Sequence, residues 1–160
     1  MTVVTYRGVL TPGVKPHKPL LSSKKRQGGR NNSGRITVRH QGGGHKRQLR
    51  DIDFKYNKIN IPARIETIEY DPYRTAFVAL TVYADGERRY VLASKDMKVG
   101  DTFLVSENAP IKTGNRLPLG KIPSGTFIYN IELQPGAGAR LARSAGNYAE
   151  VVAHDSGYAH

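Results

Sequence analysis

No window of eleven or more residues in this chain places apolar side chains at helical spacing. The apolar residues instead fall in short runs, divided by the 17 glycines and 9 prolines of the 160-residue sequence. Runs at 64–70, 75–83, 87–93, 102–106 and 126–133 read as strands, because β-branched and aromatic residues alternate there with polar ones. Asp85-Gly86 between two such runs predicts a two-residue type I′ hairpin turn. Asp71-Pro72 and Gly100-Asp101 mark two further turns. Many short strands at close spacing predict an all-β chain of one small barrel or a pair of them. A shorter alternation, Ile36 and Val38 between Arg35, Thr37 and Arg39, predicts a half-buried strand, and Leu49, Ile52 and Phe54 a less regular one.

Charge divides the chain more sharply than hydropathy does. The first fifty residues hold twelve Lys or Arg and no Asp or Glu, while the remainder holds thirteen of each sign. The net charge of +12 therefore sits in the N-terminal third. Residues 1–34 read as an extended arm, broken by Pro12, Pro16 and Pro19 and carrying the basic run Lys24-Lys25-Arg26. With little beyond Val9, Leu10, Leu20 and Leu21 to bury, such an arm is expected to gain order against a partner. A cationic segment on a neutral body predicts a polyanion, above all a nucleic acid. A transit peptide would need an amphipathic helical period, and a membrane-surface arm a second anchor; neither is present in the sequence. With no cysteine there is no disulfide framework and no thiolate metal site.

The densest polar motif runs through Arg30, Asn31, Asn32 and Arg35, then Arg39 and His40, then Gly43, Gly44, His45, Lys46 and Arg47, with Arg50 just beyond. Glycines let backbone N–H groups approach an anion, and the flanking cations supply charge-assisted bonds to phosphate. Asn and His add hydrogen bonds suited to bases or 2′-hydroxyls. The Gly42–Lys46 stretch is no nucleotide P-loop, since no Ser or Thr follows the Lys and no helix is signalled. His40 and His45 lie among cations that would repel a metal ion, so no metal or cofactor is expected. Glu66 and Glu69 would face opposite sides of a regular strand, and neither Ser33 nor Ser124 has a base at a known spacing. The chain is therefore read as a binding protein, not an enzyme. On the body, Arg74, Arg88, Arg89, Arg140 and Arg143 are further candidates for RNA contact. Tyr70, Tyr73, Tyr83 and Tyr90 serve either as core or as stacking faces.

The stretch from Gly29 to Asn32 and the stretch from Gly34 to Arg47 resemble, almost residue for residue, the signature segment of the universal large-subunit ribosomal protein two, in its bacterial and organellar form. Further likenesses lie at 68–72, 83–87, 130–133 and 141–146, and the resemblance extends from about Lys24 to the C-terminus. It implies an OB-fold barrel followed by an SH3-like barrel, both on large-subunit rRNA, with the N-terminal arm threading the RNA. The expected division is an arm at 1–34, an OB-fold barrel at 35–122 and the start of an SH3-like barrel at 123–160. The family's RNA-contacting arginines carry over to Arg74 and Arg143. Tyr73, where Asn is usual, and Tyr129, where His is common, are departures that leave both arginines in place. Family members continue further, so the expectation is a fragment or a split protein whose other half is a separate chain. The segment on which catalytic proposals rest would then be missing. The implied role is scaffolding in the large ribosomal subunit, beside neighbouring ribosomal proteins, in a bacterial cytoplasm or an organelle. The alternative is a free-standing OB-fold RNA chaperone or translation factor.

Overall fold

The computed structural model describes residues 6, 8–23 and 26–160; Lys24 and Lys25 lie outside them. Among the described residues the only helices are two single 3-10 turns, Lys18–Leu20, which contains Pro19, and Leu119–Lys121, which follows Pro118. The strands are β1 (Leu21–Ser22), β2 (Leu49–Arg50), β3 (Ala63–Glu69), β4 (Val78–Tyr83), β5 (Arg88–Leu92), β6 (Thr102–Phe103), β7 (Phe127–Ile128), β8 (Ala149–Glu150), β9 (His154–Asp155) and β10 (Tyr158–Ala159). The main sheet is antiparallel in the order β5-β4-β3-β6. It curls into a half-barrel, the all-β architecture expected of an OB-fold. Three two-stranded ladders surround it: β1-β2, β7-β8 and β9-β10.

Both faces of the sheet are covered. Ala63, Ile65, Ile68, Ala79, Tyr83, Val91 and Phe103 pack on one side. Val78, Leu80, Tyr90 and Leu92 pack with Ile52 on the other. That explains why β4 reads as an almost unbroken apolar run rather than a strict alternation. Of the four tyrosines in question, Tyr83 and Tyr90 are core, whereas Tyr70 is 52% exposed.

Three local expectations are corrected. The hairpin between β4 and β5 has a three-residue loop, not a type I′ pair. Gly86 N–H bonds Tyr83 O at 2.9 Å and Tyr83 N–H bonds Glu87 O at 2.9 Å. Gly86 alone adopts positive φ, at 86°, so a type I turn is closed by a glycine bulge. Next, β3 contains a bulge between Ile65 and Thr67. The extra residue moves Glu66 to the face of Thr67 and Glu69, so the two glutamates share a side after all. Finally, residues 35–39 form no half-buried strand. Ile36 makes one isolated bridge to Arg30 and is 60% exposed, and Val38 is 51% exposed.

The N-terminal segment finds more to bind than its composition suggests. Leu10 and Leu20 pack against the two core clusters. Thr11 N–H bonds Ile68 O, and Ile68 N–H returns to Thr11 Oγ1, both at 3.0 Å. His17 N–H donates to the Tyr90 hydroxyl at 2.9 Å, and β1 then pairs with β2. Residues 10–22 thus belong to the body, and the exposed basic stretch begins after them.

Candidate nucleic-acid interface

Residues 29–38 fold back on themselves. Thr37 and Val38 N–H both bond Gly29 O, at 2.9 and 3.1 Å, and Asn31 N–H bonds Arg35 O at 2.9 Å. The Asn31 side-chain oxygen accepts from Ser33 N, Ser33 Oγ and Arg35 N at 2.9–3.1 Å. Asn31 therefore organises the loop with its oxygen, while its amide N–H₂ makes no bond among the described residues. Gly29 cannot be replaced here: its φ is 73°, and a Cβ would stand 2.0 Å from Val38 O. The Arg26 guanidinium holds the second glycine-rich stretch by bonds to Gly44 O at 2.6 Å and His45 O at 2.5 Å.

The loop leaves its polar side chains accessible to solvent. Arg30, Asn32, Arg35, Arg39, His40, Gly43, Gly44, His45, Lys46 and Arg47 are all exposed, with no carboxylate bonded to any of them. Among the described residues no three His, Cys, Asp or Glu side chains converge as a metal site. Arg47 reaches the body, donating to Pro72 O at 3.1 Å with its guanidinium 5.7 Å from the Tyr73 ring centre. Arg50 differs from its neighbours in being buried, with one bond to Gln48 O at 3.0 Å.

Arg74 and Arg143 lie far apart in sequence but meet at one side chain. The Arg143 guanidinium carbon lies 3.5 Å from the centre of the Phe54 ring, and that of Arg74 lies 5.4 Å away. Arg74 is anchored by its Nε to Asp71 at 2.8 Å, and Asp71 also accepts from Tyr73 N–H in the turn. Among the described residues Arg143 has no carboxylate partner; it bonds Ala139 O at 3.4 Å. Burial, and then the charge of Arg74, pull its pKa below the usual arginine value. Two neighbouring cations of which one lacks a counter-ion make a place where a phosphate would relieve the repulsion.

Arg88 and Arg89 are placed differently. Arg88 makes a two-pronged bond to Glu66 at 2.8 and 3.0 Å. Arg89 bonds Glu87 at 2.6 Å, Asp53 at 2.8 Å and Asn57. Both are committed to the sheet, which argues for a structural duty. Arg140 is exposed in the glycine-rich loop. Glu66 and Glu69 share a face but do not form a catalytic pair, since Glu69 is taken by the Tyr90 hydroxyl at 2.9 Å.

Three contributors escaped sequence reasoning. Phe54 is the platform for both arginines. Glu132 accepts Gly136 and Gly138 N–H at 2.8 and 3.1 Å, shaping the glycine-rich loop beside Arg143. Arg116 joins that loop to the barrel, bonding Glu132 at 2.6 Å and lying 4.7 Å from the Tyr56 ring centre. A glutamate shortly before a run of glycines is the one signal the sequence offered for this.

The family described as Ribosomal Proteins L2, RNA binding N-terminal domain, matches residues 17–105. Its companion, Ribosomal Proteins L2, C-terminal domain, matches residues 112–160. A large ribosomal subunit protein uL2 from Buchnera aphidicola subsp. Schizaphis graminum is 59% identical over 145 residues, covering 91% of this chain and 53% of the relative. The uL2 of Xanthomonas euvesicatoria pv. vesicatoria is 57% identical over 154 residues, covering 94% and 56%. The chain thus spans about half the length of the curated relatives it matches. With one domain description matching more than half of its residues and the second taking up most of the rest, this chain belongs to the L2 family of ribosomal proteins.

Proposed function

We propose that the chain is a structural constituent of the large ribosomal subunit that binds and organises large-subunit rRNA. The observation that carries this reading is the pair Arg74 and Arg143 side by side on Phe54, with no carboxylate partner for Arg143 among the described residues. The exposed loop 26–47 extends the same positive surface, and Lys24 and Lys25 precede it in sequence. Arg30, Arg35, Arg39 and Lys46 neutralise phosphates, and Asn31, Asn32, His40 and His45 supply hydrogen bonds. The OB-fold barrel with residues 10–22 packed on it, the exposed basic loop and the start of an SH3-like barrel at 123–160 act as one rRNA-facing unit. The mechanism is scaffolding, with neighbouring ribosomal proteins as further partners and no bond-making step.

Sedimentation tests the reading. The chain, expressed with a tag in a bacterial host, stays with the large subunit through a moderate salt wash. Release into the free fraction would instead favour a transient RNA chaperone. Intact-mass measurement of the same subunits tests whether a separate polypeptide carries the rest of the length seen in the relatives.

A further inference from the structure

Beside the basic loop, an open cleft of about 750 Å³ is lined by His45, Lys46, Arg47, Arg50, Tyr70 and Pro72, with no acidic side chain among its walls. Its volume falls in the range of small-molecule sites. Two of its residues are out of keeping with a bystander surface. Arg50 is 9% exposed, yet among the described residues no carboxylate pairs with it, and its Nε has no hydrogen-bond partner. A buried guanidinium with no anion, and with only the bond to Gln48 O at 3.0 Å, is incompletely repaid for its lost hydration. Tyr70 is the opposite case. It directly follows β3, whose last two residues are buried, and presents its ring to solvent while Tyr83 and Tyr90 are packed away.

The wall that carries Tyr70 is fixed in place. Asp71 accepts Tyr73 N–H at 2.9 Å and Arg74 Nε at 2.8 Å, and Arg47 bonds Pro72 O at 3.1 Å across the cleft. A flat ring, a prolyl edge, an unsatisfied buried guanidinium and two exposed cations are the parts needed for a base and its phosphate together. A base paired inside a duplex has no free face to lay on a ring, whereas an unpaired one does. We infer that this cleft receives one unpaired nucleotide, with its base on the Tyr70 ring and its phosphate on Arg50 and Lys46.

The inference rests on the RNA-binding reading above, and one experiment separates the two. The full chain is titrated with a single-stranded rRNA-derived oligonucleotide carrying 2-aminopurine, and with the same strand annealed to its complement. Stacking quenches the fluorophore in the wild-type complex with the single strand. Tyr70→Ala abolishes the quench and weakens single-strand binding roughly tenfold, within the range for loss of one base–aromatic stack. It weakens duplex binding much less, and Tyr70→Phe restores both the quench and the affinity. Circular dichroism of the variants verifies the fold, which an exposed ring does not support. An equal loss on both ligands, or no loss and no change in quench, overturns the nucleotide subsite while leaving RNA binding intact. Failure of the wild-type chain to bind either ligand overturns the RNA reading and the subsite with it.

Discussion

The arginines of the sheet and those of the loop are chemically the same residue put to opposite uses. In the sheet, Arg88 and Arg89 meet Glu66, Glu87 and Asp53, every one of which lies beyond the acid-free first fifty residues. In the loop, Arg30, Arg35 and Arg39 have no acid within their stretch of chain and remain exposed. Arg74 and Arg143 stand between the two: the first is paired with Asp71, the second is not, and Phe54 holds them side by side. Having a carboxylate partner, more than being basic, separates the arginines that hold the fold from those left for a ligand.

The most demanding way to break this contrast is to discharge the loop. Replacing Arg30, Arg35, Arg39 and Lys46 together with Gln removes four phosphate contacts if the loop carries them. The affinity lost between 50 and 200 mM salt should then shrink by roughly 50- to 150-fold, from the slope of about 0.7–0.9 per phosphate. Thermal stability should hold, because none of the four side chains is buried or bonded to the core. Filter binding of an rRNA fragment across a salt series gives the slope, and an unchanged slope would remove the loop from the interface. Neutralisation is a cleaner test than deleting residues 1–50, since that deletion would also take away Leu10, Leu20, β1 and β2.

Arg143→Ala sharpens the contrast at a single position. It should weaken rRNA-fragment binding roughly tenfold, the scale of one charge-assisted contact, with circular dichroism unchanged. The same substitution removes both the repulsion with Arg74 and the contact with the Phe54 ring, so the melting temperature of the free protein should change little. A loss of stability equal to the loss of affinity would instead make Arg143 part of the fold.

How much of this was legible beforehand follows from which interactions are local. The strands β3, β4 and β5 were readable because alternation and turn residues are properties of neighbouring positions. The charge division was readable because it is a count. The same period-two rule misled at Ile36 and Val38, since an exposed loop can alternate too and only the absence of a covering layer tells them apart. At Asp85-Gly86 the dipeptide suits both a two-residue and a three-residue loop, and the Tyr83–Glu87 bond decides between them. The bulge at Glu66 carries no glycine to announce it. The Phe54 platform could not be read at all, because residues 54, 74 and 143 meet only through the fold.

The sheet side of the contrast is tested by pH. The hydrogen bond from Arg88 lowers the pKa of Glu66 below its usual 4.5. A depressed folded-state value contributes stability above the unfolded pKa, and that contribution is lost as pH falls through the folded one. The pair is partly exposed, so the effect should stay under about 1 kcal/mol. Between about pH 6 and pH 3, wild type should lose slightly more melting temperature than Glu66→Gln, by at most roughly 2–4 °C for a chain of this size. Equal pH profiles would mean that the pair contributes nothing to stability. The same variant examines Arg88 from the RNA side, because removing Glu66 leaves its guanidinium without a counter-ion. If freeing Arg88 raises affinity for the rRNA fragment at low salt, then Glu66 is what withholds it from RNA. Unchanged affinity would place Arg88 off the RNA-facing surface, and the division between sheet and loop would then be one of position as well as pairing.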